Sequence, residues 1–226
     1  MKYKNIKECI FLSRPNRFIA NVEIDGTIEI CHVKNTGRCA EIFTKGAKVY
    51  LEKSDNPERK TLYDVVSAVK NGVIFNIDSQ APNKVVGEWL SSGGLFEDIT
   101  VLKSECTYKN SRFDFYAETK KEKAFIEVKG VTLENDGVFM FPDAPTIRGT
   151  KHICELTECI KEGYSAYVIF LIQAPFAKYM TPNKEADEKF YNALCKAKKS
   201  GVNIIALTSY VDEVSVKAKE ITEVIL

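Results

Sequence analysis

Turn signals crowd the first 80 residues, and they set the strongest limit on what this chain can fold into. Asp25-Gly26, Asn35-Thr36-Gly37, Lys45-Gly46, Asp55-Asn56-Pro57 and Asn71-Gly72 recur at short intervals. Asp-Gly and Asn-Gly between alternating apolar runs favour tight hairpins, because the central turn positions need φ > 0. The runs between them are "IFLSRPNRFIANVEID", "TIEICHVK", "AKVYLEKS", "LYDVVSAVKN" and "GVIFNID". Strands this short and this closely spaced leave no open edge only by closing on themselves. The pattern therefore predicts an OB-like five-stranded β-barrel over residues 1–82.

Beyond "DSQAPN" the periodicity changes. Val85, Val86, Trp89 and Leu90 fall at helical spacing, and Gly93-Gly94 ends the run. Three strands are expected near 99–108, 112–118 and 124–133, then a loop holding "FPDAPT" and a helix over 147–162. "SAYVIFLI" is continuously apolar, as a strand covered on both faces must be. A helix near 185–199 and the strand "VNIIAL" complete an α-β-β-β-α-β-α-β order. That order predicts a second domain over residues 83–226, with a mixed sheet and helices in the α/β or α+β class.

Bulk properties exclude more than they select. With 45% hydrophobic and 28% charged residues the chain has the composition of a soluble globular protein. No stretch approaches the length of a membrane span, and the charged N-terminus lacks a signal-peptide core, so a cytoplasmic location and no membrane partner are expected. Seven cysteines without a CxxC pair suit neither a zinc ribbon nor a disulfide framework, and predict reduced thiols. A net charge of +1 gives no bulk attraction to nucleic acid, so such a role would need a local basic patch.

Chemistry concentrates in residues 111–130, "SRFDFYAETKKEKAFIEVKG", two apolar strands around a charged turn. Alternation places Glu127 and Lys129 on one face of their strand. It places Arg112, Asp114 and Tyr116 together on the preceding one, with Phe113 and Phe115 opposite. An antiparallel hairpin would bring Asp114 close to Glu127. Paired carboxylates suit a hard divalent cation such as Mg²⁺, and a lysine beside them can orient water or offset charge on a phosphate. An acid-x-Lys match alone is weak, since Glu58-Arg-Lys60, Glu118-Thr-Lys120 and Asp187-Glu-Lys189 also occur. Only Glu127-Val-Lys129 lies inside an apolar strand that follows an acid-bearing strand. The competing reading is a solvated polar face.

Neighbouring residues stay open between two roles. Glu88 on the preceding helix could add an acid or be an ordinary surface glutamate, and Glu105 could equally belong to a polar strand face. Arg148, His152 and Glu155 share one helix face that could touch a phosphate, although Lys151 and Glu155 also make a routine i, i+4 pair. Asp143 could be a ligand or a helix-capping turn former.

The segments "FLSRPNRF", "HVKNTGRC", "RKTLY", "SRFDF", "EVKG" and "FPDAPTIRGTKH" together resemble the sugar fermentation stimulation protein A family, from about residue 11 to the strand near 207. The resemblance implies an N-terminal OB-fold joined to a PD-(D/E)xK nuclease fold, with DNA binding and nuclease action on DNA and on RNA. Residue by residue it implies Asp114 and Glu127 as metal-binding acids and Lys129 as the catalytic lysine. Phe113 stands where the motif usually has Pro. The helix acid maps to Glu88, with Glu105 as rival. On this reading Mg²⁺ or Mn²⁺ would be held by Asp114, Glu127 and the carbonyl of Val128. Loop residues Arg14, Asn16, Arg17, Lys34, Asn35, Arg38, Arg59 and Lys60 would meet phosphates, with Phe18 and Tyr63 stacking on bases. The same residues could instead be turn formers, solvated cations and core aromatics. A DNA-binding regulator with an inactive nuclease fold is the alternative, and a homodimer is compatible with either.

Overall fold

The computed structural model describes all 226 residues. The first apolar run is two strands, β1 (Ile6–Asn16) and β2 (Ile19–Ile24), rather than one. The reason is Asn16, whose Oδ1 accepts the backbone N–H groups of Phe18 and Ile19 at 2.9 and 3.1 Å and turns the chain. Next come β3 (Thr27–Val33), β4 (Lys48–Lys53) and β5 (Tyr63–Lys70), in the order β3-β2-β1-β4-β5. A parallel pairing of His32 with Asp64 and Val33 with Val65 joins β3 to β5 and closes the five-stranded barrel. "GVIFNID" forms β6 (Val73–Asn76), a hairpin arm on β5 rather than a fifth barrel strand.

Helix α1 (Ala81–Ser91) follows, with Pro82 in its first turn, where a missing N–H costs nothing. A six-stranded mixed sheet then has the order β15-β14-β12-β9-β8-β7. Its members are β7 (Val101–Tyr108), β8 (Ser111–Glu118), β9 (Lys123–Val131), β12 (Ser165–Ile172), β14 (Asn203–Val211) and β15 (Val216–Thr222). The antiparallel β7-β8-β9 meander passes into parallel β9, β12 and β14, and β15 returns antiparallel. A small sheet of β10 (Leu133–Asn135), β11 (Val138–Phe141) and β13 (Tyr179–Pro182) stands beside it. Helices α2 (Ile147–Lys161) and α3 (Glu188–Lys199) cover one face, and α1 covers the other. On β12, Val168, Phe170 and Ile172 pack with the α2 and α3 side chains, and Ile169 and Leu171 pack with those of α1. Two covered faces explain that strand's unbroken apolar sequence.

Barrel and mixed-sheet domain share one apolar core. Phe75 of β6 stacks on Phe139 of β11, with ring centroids 6.2 Å apart. Lys70 reaches Glu134 Oε2 at 2.5 Å, and Gln173 Nε2 donates to Asn76 Oδ1 at 2.7 Å. No helix is long and apolar enough to cross a membrane. All seven cysteines are free thiols, and Cys9, Cys31, Cys39 and Cys159 are buried.

Candidate active site and nucleic-acid interface

β8 and β9 pair from Glu118↔Lys123 up to Phe115↔Ile126, where the backbone pairing ends. Beyond it Asp114 puts its carboxylate into the ladder: Oδ2 accepts the backbone N–H of Val128 at 2.7 Å, and Oδ1 accepts Asn83 Nδ2 at 2.7 Å. Strand alternation breaks at this point. Phe113 packs on the α2 side against His152, whereas Phe115 packs on the α1 side, so the expected common face of Phe113 and Phe115 does not form. The carboxylate stands in for a ladder carbonyl, and the end of the β8–β9 backbone pairing beside it leaves a notch in the ladder.

Glu127 lies on the α2 face and is 2% exposed. Its Oε1 accepts His152 Nδ1 at 2.5 Å and is in contact with the Lys129 ammonium. Its Oε2 is buried with no hydrogen-bond partner. Burial pushes the Glu127 carboxyl up, but the His152 hydrogen bond and the Lys129 charge outweigh that and hold it below the usual glutamate value. Asp114 is raised by burial first and by the Glu127 charge second, against the Val128 N–H, Lys129 and Asn83. Two carboxylates close enough to disturb each other, one with a bare buried oxygen, form a hard-oxygen donor set that fits a divalent cation.

The structure brings together Asp114, Glu127, Val128, Lys129 and His152. It leaves others elsewhere. Glu88 points away, 61% exposed and bound at 2.6 Å by the N-terminal ammonium. Glu105, at φ 54°, falls opposite Asp114 in an unshifted β7–β8 register, but its side chain is exposed and pairs with Arg112 at 3.5 Å. Glu155 is mostly buried on α2, with Oε2 unpartnered and Lys151 at 3.8 Å from Oε1. Asp143 accepts the Arg38 N–H at 3.1 Å, tying the 35–38 loop of the barrel to the second domain. Asn83 was missed, because a neutral amide carries no charge signal; its place in the first turn of the helix before the meander was the available clue.

Several loop cations do structural work. Arg14 donates to the carbonyls of Arg38, Arg17 and Asn35 at 2.5 to 2.8 Å, and Asn35 bonds the Ile77 carbonyl and the Gly37 N–H. Arg59 grips Asp64 through both carboxylate oxygens at 2.9 and 2.7 Å, and Lys34 reaches the same group at 3.1 Å. Tyr63 is packed against the core rather than free to stack. Arg17, Arg38 and Lys60 are exposed, as is Phe18. A cleft of about 870 Å³ between the domains is lined by Arg14, Arg17, Arg38, Asp143 and Thr146, among others.

Comparison with known proteins places these features in a wider set. Residues 12–77 match the family model of the SfsA N-terminal OB domain, and residues 80–215 that of the sugar fermentation stimulation protein RE domain. A sugar fermentation stimulation protein homolog of Ruminiclostridium cellulolyticum is 56% identical over 224 residues, covering 99% of each chain. One of Clostridium beijerinckii is 55% identical over 226 residues, covering 100% of each. The solved structure of Pyrococcus furiosus SfsA in complex with Ca²⁺ superposes with a TM-score of 0.91 at 29% identity, covering 100% of this chain and 98% of that one.

Proposed function

The chain belongs to the sugar fermentation stimulation protein family, and from that premise we propose that it is a metal-dependent nuclease of DNA, with RNA as a second substrate. The observation that carries this reading is the division of labour on Glu127: Oε1 takes both nitrogen donors, and Oε2 is buried and bare. A buried carboxylate oxygen without a partner is costly unless a ligand completes it. The helix, three-strand meander, helix and parallel strand around the site support a PD-(D/E)xK nuclease fold.

Asp114, Glu127 and the Val128 carbonyl would hold Mg²⁺ or Mn²⁺, and the Ca²⁺ complex of the Pyrococcus relative agrees with such an oxygen site. When bound, the ion would supply Lewis-acid chemistry, polarising a phosphoryl oxygen and lowering the pKa of water. His152 holds Glu127 by Oε1 through Nδ1, which leaves Oε2 free for a ligand. Lys129, 16% exposed, presents its ammonium where it can orient an attacking water and offset charge on the phosphate oxygens. Water adds to phosphorus, the P–O ester bond breaks, and a phosphate monoester and a free hydroxyl result. The barrel would hold the polynucleotide by phosphate charge without reading sequence.

Purified protein incubated with labelled DNA and RNA, with Mg²⁺ or with chelator, tests the reading. Wild type should cut only with the metal, and Glu127→Ala should bind DNA like wild type and leave it intact. Binding without metal-dependent cleavage by wild type would leave a DNA-binding regulator instead, and cleavage by Glu127→Ala would remove the assigned site.

A further inference from the structure

We infer that the cleft between barrel and mixed-sheet domain is the track of a single, unpaired nucleic-acid strand. This rests on the phosphodiesterase reading of the Glu127 site and specifies its substrate class. Six arginines occur in the chain. Arg14 is spent on loop carbonyls, Arg59 on Asp64, and Arg112 pairs with Glu105. The remaining three, Arg17, Arg38 and Arg148, make no side-chain hydrogen bond or ion pair, and two of them stand at this cleft. Arg17 and Arg38 line it from the barrel, and Arg148 lies on the first turn of α2, two residues beyond the lining Thr146. The one carboxylate in the lining, Asp143, is engaged by the Arg38 N–H. Free guanidiniums around a cleft whose one acid is engaged are complementary to a phosphate chain.

The cleft continues along β9, the site strand. A smaller recess of about 170 Å³ shares Thr36, Gly37, Phe141 and Asp143 with it and extends to Gly130, the residue after Lys129. Glu127 is 2% exposed, so the scissile phosphate must enter a recess rather than lie on a surface. Duplex DNA resists such local bending, with a persistence length of about 50 nm, whereas a single strand turns freely. Exposed apolar side chains adjoin the residues that line the cleft. Phe18, next to the lining Arg17, is 49% exposed with the Arg17 guanidinium 5.7 Å from its ring centre, and Ile147 at the start of α2 is 90% exposed. Unpaired bases offer their faces to such groups, and stacked base pairs do not.

The test is fluorescence anisotropy in EDTA, which separates binding from cleavage. A labelled 20-nucleotide oligodeoxynucleotide is compared alone and annealed to its complement. The single strand should bind at least roughly tenfold tighter than the duplex. Arg17→Ala/Arg38→Ala should weaken single-strand binding about tenfold or more and flatten the slope of log K against log salt by about 1.4, two contacts at about 0.7 each. Ile147→Ala should weaken the single strand about threefold and the duplex not at all. Lys120→Ala, in the remote β8–β9 turn, is the control and should change nothing. Equal or tighter duplex binding, or an unchanged salt slope in the double variant, overturns the inference. Loss of cleavage in Glu127→Ala with the single-strand preference intact would still support both readings, and uncut DNA in wild type with the preference intact would remove only the nuclease.

Discussion

Asp114 takes its orientation from two donors, the Val128 N–H and the Asn83 amide, both at 2.7 Å. Asn83 is exposed on α1, so Asn83→Ala should leave the fold intact and release one carboxylate oxygen. A hydrogen bond to a charged group is worth about 1.5 kcal/mol, so divalent-ion affinity, measured by Ca²⁺ calorimetry, should fall roughly tenfold with the melting temperature unchanged. A falling melting temperature with unchanged affinity would make Asn83 a helix-docking residue only. Asp64 is the opposite case, a carboxylate with no reactive role. It is 3% exposed, and although burial pushes it up, Arg59, His32 and Lys34 hold it at about 2. A depressed folded pKa stabilises the protein above the unfolded value near 4 and loses that stability as pH falls toward 2. The loss should be about 2 kcal/mol between those pH values, and Asp64→Asn in urea titrations should abolish this part of the acid dependence. Loop cations were legible in the sequence, but not their commitment, because Asp64 hides within an apolar strand five residues after Arg59.

At the scale of elements, β9 with α1 and α2 makes the site, and most of that was legible. The β8–β9 hairpin, the 147–161 helix and the doubly covered β12 follow from period, turn residues and an unbroken apolar run. The Asp114 notch was not legible, because it arises when a side chain replaces a backbone partner in another strand. β15 escaped for a related reason: "VKAKEIT" is an edge strand, and its lysines and glutamate look like a solvated tail. The β10–β11 hairpin did carry a signal, Asp136-Gly137, and both residues have positive φ. Gly130 shows how tightly α1 and the residue after β12 close on β9. A Cβ there would lie 2.6 Å from Gln173 Oε1 and 2.7 Å from Pro82 Cγ. Gly130→Ala should therefore cost about 1–3 kcal/mol in urea unfolding and displace the adjacent Lys129, so that cleavage falls more than nucleic-acid binding. Unchanged stability would mean that α1 is free to shift.

As a whole molecule, the chain separates into two sequence patterns but one core. The change of periodicity near residue 80 marks the passage from β6 to α1, and from sequence it suggests two units that could fold apart. Side-chain packing shows otherwise, because Phe75 on the barrel arm stacks against Phe139 of β11, and Lys70 and Gln173 cross the same seam in buried polar contacts. None of these partners is near its counterpart in sequence, so no local pattern could announce them. A shared core of this kind predicts one cooperative transition. Phe139 is fully buried, and Phe139→Ala should cost about 3–5 kcal/mol. That loss should appear equally in both halves: Trp89 fluorescence, reporting the α1 side, and hydrogen exchange at Val22 and Leu51 in the barrel should shift by the same free energy. Barrel amides that keep wild-type protection while Trp89 unfolds early would show two independent domains. The interdomain cleft would then be a seam that opens on its own, not a fixed wall against which a strand is held.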